Sequence, residues 1–219
     1  MKLRNAALLV LIGTLLTSLI RLLGTFLPDV LVTPGPVLFT IILQLLTDMV
    51  MITFFVLFRS STYINGNSRL STAATIGAAG AAVGMLVPLK HLLFHTNAFF
   101  YLPLMLTRGL QLLAPVITII SLLYFLVVFL PEATARGSKR LVSGIQIGLG
   151  GAALFLLMHL LVIIHFVIHY RFNWLSQISN WVALATLPLI ILATFALLFF
   201  FFVIWRDTDK PLITGNEKD

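Results

Sequence analysis

The sequence predicts an all-α, polytopic integral membrane protein with six transmembrane helices arranged as tandem helical hairpins. Three observations carry this expectation. The chain of 219 residues is 60% hydrophobic and only 10% charged, with 18 Phe and a mean hydropathy of +1.09. A soluble domain of this size cannot hide so many apolar side chains in one core, so lipid has to serve as part of its solvent. Second, six runs have the length of roughly 20 mostly apolar residues that a helix needs to cross the hydrocarbon. Third, residues 69–86 and 140–157 align without a gap at an offset of 71, sharing Arg-Leu, then Ile-Gly, then Gly-Ala-Ala. Such self-similarity is the mark of an internal repeat.

The predicted spans are residues 6–27, 37–58, 70–93, 108–130, 141–168 and 181–205. They form one transmembrane domain, 1–205, with hairpins at about 1–68, 69–139 and 140–205, followed by a polar cytoplasmic tail, 206–219. The opening Met1-Lys2-Leu3-Arg4 and the apolar run behind it lack an Ala-x-Ala-like exit, so they read as the first span and not as a signal peptide. Hairpins join at two connections of equal length, 59–69 and 130–140, which carry the turn-like Asn65-Gly66-Asn67 and Arg136-Gly137-Ser138. Pro115 and Pro188 occupy similar places in spans four and six, and a membrane helix accommodates proline when neighbours satisfy the freed carbonyl.

Spans three and five are rich in small residues: Ala73, Gly77, Gly80, Ala81 and Gly84, then Gly144, Gly148, Gly151 and Ala152. In lipid, helices associate by close packing, so small residues spaced at three or four mark contact faces. These two helices are expected near the centre of the bundle, in contact within the protein. The phenylalanines at 199–202 are expected to face lipid or a partner.

Charge supplies orientation. Lys2, Arg4, Arg59, Arg69, Arg136, Lys139, Arg140, Arg206, Lys210 and Lys218 fall on one side if the spans alternate; Lys90, Arg108 and Arg171 fall on the other, and Arg21 lies within span one. The positive-inside rule then predicts both termini in the cytoplasm, in the cell (inner) membrane. The net charge of +7 is thereby a topology signal, and no nucleic-acid role is expected. Cysteine is absent, which excludes disulfides and thiolate chemistry.

Polar residues within the spans are the functional candidates, because each is costly in hydrocarbon unless it faces protein or water. Span one carries Thr14, Thr17, Ser18, Arg21 and Thr25 on one face. Span two carries Thr40, Gln44 and Asp48 at i, i+4, i+8, and span four Arg108, Gln111, Thr118 and Ser121. Arg21, Gln44, Asp48, Arg108 and Gln111 are the expected solute-binding set. A contact between Arg21 and Asp48, direct or through water, is expected, with Gln44 beside it. It can serve as a buried ion pair that sets helix register or as part of a solute or proton site. Asp48 is the only acid within the predicted spans.

Two HxxxH pairs, His91/His95 and His165/His169, recur at an offset of 74. Each pair puts two imidazoles on one helix face, the geometry that can ligate haem or a divalent metal. Being near the outer interface, they need no ligand to explain them: interfacial solvation or ordinary hydrogen bonding is the expected reading ahead of ligation, with pH sensing a further one. His159 lies deeper but has no counterpart in span three, where Pro88 stands. Walker, HExxH and GxSxG motifs are absent, as are acidic pairs for hydrolysis, so an enzyme acting alone is not expected.

Three readings therefore fit: a small permease or solute-binding subunit of a transport complex for an anionic solute, with Arg21 and Arg108 setting the sign; a silent accessory or assembly subunit among other membrane subunits; or a haem- or metal-binding redox subunit using the histidines.

Overall fold

The computed structural model describes residues 2–26, 34–61, 67–95, 104–171 and 176–207, with side chains at 2–20, 36–61, 67–93, 109–165, 186 and 188–207. Six helices follow one another: α1 (Leu3–Phe26), α2 (Pro34–Arg59), α3 (Ser68–His95), α4 (Leu104–Ala135), α5 (Lys139–Arg171) and α6 (Ser176–Asp207). Each contains a stretch long and apolar enough to cross a membrane. The protein is thus an all-α, integral membrane protein of six candidate spans. Helices answer the constraint that lipid places on the backbone, since every N–H and C=O must find its partner within the segment. Three of the four buried hydroxyls among the described residues obey the same rule: Thr17 donates to the Gly13 carbonyl at 2.7 Å, Thr47 to Leu43 at 2.8 Å and Ser121 to Ile117 at 2.8 Å.

Among the described residues, backbones approach closely only between helices consecutive in the chain and between α1 and α6. The six helices therefore close into a ring. Leu46, Met49, Val127, Leu192 and Phe195 are among the large apolar side chains turned outward, where lipid would cover them. At the end carrying the chain termini, Arg4 of α1 lies over the Trp205 ring of α6, 5.5 Å from its centroid, so a cation–π contact helps fasten the closure.

Glycines set the spacing between neighbouring helices. A Cβ at Gly77 would stand 2.6 Å from Cε1 of Phe55, one at Gly84 2.7 Å from Oγ1 of Thr118, and one at Gly144 2.9 Å from Val203. Glycine disfavours a helix interior by about 1 kcal/mol relative to alanine, and these contacts are what the exchange gains. Small residues of α3 and α5 thus do pack within the protein. The centre of the ring, however, belongs to α2, α4 and α6, whose phenylalanines meet at the terminal end. Phe54 packs edge-on to Phe201, Phe55 to Phe125, and Phe58 to Phe125 and Phe129, with centroids 4.9–5.4 Å apart. The run at 199–202 is correspondingly split: Phe200 and Phe201 are buried, while Phe199 and Phe202 are exposed. Four consecutive residues sweep most of the way round a helix, so one face cannot hold them all.

The connection expected at 130–140 shortens to residues 136–138, because α4 continues through Pro131 to Ala135. Glu132 consequently lies in the last turns of α4 and not in a loop. It accepts from Asn67 Nδ2 at 3.2 Å and pairs with Arg136 at 3.3 Å. Asn67 in turn caps α3 by accepting from the Leu70 amide at 3.1 Å, as Ser138 caps α5 by accepting from Leu141 at 3.3 Å. Gly137 ends α4 at φ 67°, a left-handed conformation that side chains disfavour. Gly137→Ala should cost about 1 kcal/mol, measured as a lower thermal midpoint in detergent without loss of helix content.

Positions 67–86 and 138–157 carry the same order of buried, half-buried and exposed residues throughout. Leu70 matches Leu141, Gly77 matches Gly148 and Ala81 matches Ala152. At the other end of the chain α6 continues to Asp207, two residues beyond the expected limit of the sixth span, and the expected tail from 208 onward lies outside the described residues.

Candidate functional site

The polar face of α2 survives folding as a local pair. Gln44 Nε2 donates to Asp48 Oδ1 at 3.2 Å, one helical turn apart, and both side chains are half-buried. Seven residues below Asp48, on the same face because two turns take about 7.2 residues, stands Phe55 with its edge against Phe125. Asp48 is thus held roughly 10 Å above the aromatic cluster on a face directed by Phe55 toward α3 and α4.

A second polar group stands at nearly the same depth on α6. Thr194 is 6% exposed, and its hydroxyl is the one buried side-chain oxygen among the described residues that meets no hydrogen-bond partner. It shares a face with Phe201, seven residues below, which packs edge-on against Phe54 of α2. An unpaired buried hydroxyl costs about 1–3 kcal/mol. Sequence reasoning missed Thr194; its only signal is a hydroxyl within an otherwise apolar stretch, which periodicity does not separate from the usual threonine bonded to its own helix.

The register of α1 against α2 is set where Gly13 meets Thr47: a Cβ on the glycine would lie 2.7 Å from the Thr47 hydroxyl. Arg21 is eight residues beyond Gly13, about 12 Å up α1, and Gln44 is about 4.5 Å up α2 toward the same end. In depth the Arg21 backbone is therefore closer to Gln44 than to Asp48. The Arg21 side chain lies outside the described residues, as does that of Arg108, so the expected Arg21–Asp48 contact stands as an expectation.

Gln111 is brought to a cation across the ring wall. Lys90 Nζ of α3 donates to Gln111 Oε1 of α4 at 3.3 Å. Deeper along the same interface, Thr118 Oγ1 is within hydrogen-bond reach of the Gly80 carbonyl at 2.8 Å and of its own-helix Ala114 carbonyl at 2.9 Å. That arrangement depends on Gly80 leaving the carbonyl accessible, and Ser121 closes on the same glycine.

His91 and His165 are half-buried near the far ends of α3 and α5, while the side chains of His95 and His169 lie outside the described residues. Among the described residues, no three His, Asp or Glu side chains gather closely enough to hold a metal ion. His159 Nδ1 lies 2.9 Å from the Phe155 carbonyl on its own helix, which orients the ring. As a protonated Nδ1 it would donate there.

Above the aromatic cluster a carboxylate, a carboxamide and a hydroxyl thus stand at similar depth on α2 and α6. No protein-family model matches the chain, and neither a curated protein nor a solved structure does.

Proposed function

We propose that this protein is a small membrane permease, or the solute-binding subunit of a transport complex, whose solute enters the ring from the end opposite the termini. The observation that carries the reading is the stack within the ring: the Gln44–Asp48 pair and the unpartnered Thr194 hydroxyl sit above edge-to-face phenylalanines from three helices. Polar groups at mid-membrane over a tight apolar constriction have the layout expected of a solute site above a gate. Arg21, Arg108 and Lys90, all on the side of the stack away from the termini, favour an anionic solute. The excess of Lys and Arg at the terminal end supports a cytoplasmic location of the termini by the positive-inside rule. Matching burial at 67–86 and 138–157 supports an internal repeat of helical hairpins.

Asp48 is the group in this stack that can take up a proton alongside an anion. The test is uptake by protein reconstituted in liposomes, with phosphate, sulfate and short mono- and dicarboxylates as probes and choline as the cationic control. Asp48→Asn should lower anion uptake at least about tenfold and flatten its pH dependence, as removal of a proton-carrying group would. Choline preferred over every anion, or an unchanged pH profile in the variant, would overturn the proposal. Thr194→Val separates site from scaffold. It removes an unpaired hydroxyl at constant shape, so the thermal midpoint should hold or rise while uptake falls.

A further inference from the structure

A groove of about 380 Å³ opens between α5 and α6 at the terminal end, away from the stack inside the ring. Lys139, Arg140 and Arg206 line its rim at the terminal end together with Ser143 and Asp207, and Phe199, Phe202 and Val203 form its wall deeper in the bundle. The three cations are exposed, and so are Phe199 and Phe202. Polar and apolar walls are thus ordered along the bundle axis as headgroup and acyl chain are ordered in a leaflet. From the observed geometry we infer that this groove binds an anionic phospholipid, its phosphate held by Lys139, Arg140, Arg206 and the Ser143 hydroxyl, and its acyl chain lying along Phe199 and Phe202.

An internal comparison separates this groove from the general basic character of that end. Gly80 packs on Ser121 as Gly151 packs on Ala196, so α3 matches α5 at an offset of 71 and α4 matches α6 at an offset of 75. Carried to the second hairpin, Lys139, Arg140 and Arg206 become Ser68, Arg69 and Pro131, leaving one cation where the third hairpin has three. Asp207 becomes Glu132, whose carboxylate is engaged by Asn67 and Arg136. Three cations against one carboxylate leave net positive charge facing the lipid side, which complements a phosphodiester. Each Lys or Arg near an anionic surface strengthens attraction severalfold, and three convergent ones bind a headgroup selectively. A soluble phosphate would use the same cations but gain nothing from Phe199 and Phe202.

The experiment uses the full chain in lipid nanodiscs with Trp174 and Trp181 replaced by phenylalanine, so that Trp205, whose ring lies 5.7 Å from that of Phe202 in the groove wall, is the fluorescent reporter. Brominated phosphatidylglycerol is titrated against brominated phosphatidylcholine. Quenching should occur at about tenfold lower mole fraction with phosphatidylglycerol, and Lys139→Gln/Arg140→Gln/Arg206→Gln should abolish the difference. Arg59→Gln/Arg69→Gln, which removes two exposed cations of the same end, should leave it intact. Equal quenching by both lipids overturns the inference. So does a preference that both variants lose equally, which is a surface-potential effect, or one that inorganic phosphate at millimolar concentration removes, which is a soluble-anion site. Charge-conserving Lys139→Arg/Arg140→Lys should retain the preference, so loss in the glutamine variant is not a folding defect. None of these outcomes depends on whether the ring transports a solute.

Discussion

Gly151→Ala should destabilise the protein by about 1–3 kcal/mol, while Gly150→Ala, its immediate neighbour, should be neutral or gain up to about 1 kcal/mol. A Cβ at position 151 would lie 2.6 Å from Ala196 Cβ, 2.9 Å from the Ala193 carbonyl oxygen and 3.3 Å from the Leu197 amide nitrogen. None of these is the end of a flexible side chain. The methyl group has room only if α6 moves as a body, and α6 is also held by α1 through Trp205 and Arg4. At Gly150 nothing lies within 4 Å of the added atom, so alanine there only gains helix propensity. Thermal unfolding of both variants in the same detergent checks the pair. Equal midpoints would mean that α5 and α6 are not in close contact. Gly151→Leu should enlarge the loss, because the extra atoms meet the same backbone.

Phe58→Ala should cost about 3 kcal/mol and open the terminal end of the ring. The Phe58 side chain is fully buried, and its ring sits edge-on to Phe125 at 4.9 Å and to Phe129 at 5.0 Å. Lipid is as apolar as phenylalanine, so burial itself contributes little here. What is lost is dispersion and edge-to-face contact with α4, plus a cavity that rigid neighbours cannot fill. Phe195→Ala, on the outward face of α6 and 66% exposed, is the control and should stay within about 0.5 kcal/mol. In liposomes, Phe58→Ala should also raise passive leak of small anions above that of the unaltered protein. A tight vesicle with a destabilised protein would make the cluster a packing device only.

The fold was legible to the degree that lipid dictates it. Apolar run length and the backbone's need for internal hydrogen bonds yield six helices, and the helices run a few residues past the expected spans at most ends, as α4 does to Ala135 and α6 to Asp207. Pro131 reads as a helix stop, yet α4 runs on for another turn until Gly137 turns the chain and Ser138 starts the next helix. The aromatic cluster left a trace that was there to be found: Phe54 and Phe58 recur as Phe125 and Phe129 at the same offset of 71 as the glycine helices. The candidate site was half legible. Gln44 and Asp48 meet because i, i+4 spacing on a helix guarantees it, whereas Lys90 with Gln111, and Thr194 at the depth of Asp48 through Phe201 against Phe54, required knowing which helix faces which.

Local rules therefore determined the helices, the caps at Asn67 and Ser138, the polar pair on α2 and the membrane as solvent, since each depends on residues within a few turns of one another. Only the tertiary structure decided that the helices close as a ring, that α2, α4 and α6 supply its centre, and that the glycines of α3 and α5 serve the walls. Those outcomes rest on side-chain volume matched across helices far apart in sequence, such as Gly77 with Phe55 and Gly151 with Ala196. In lipid, packing of this kind supplies most of the energy that distinguishes one arrangement of apolar helices from another.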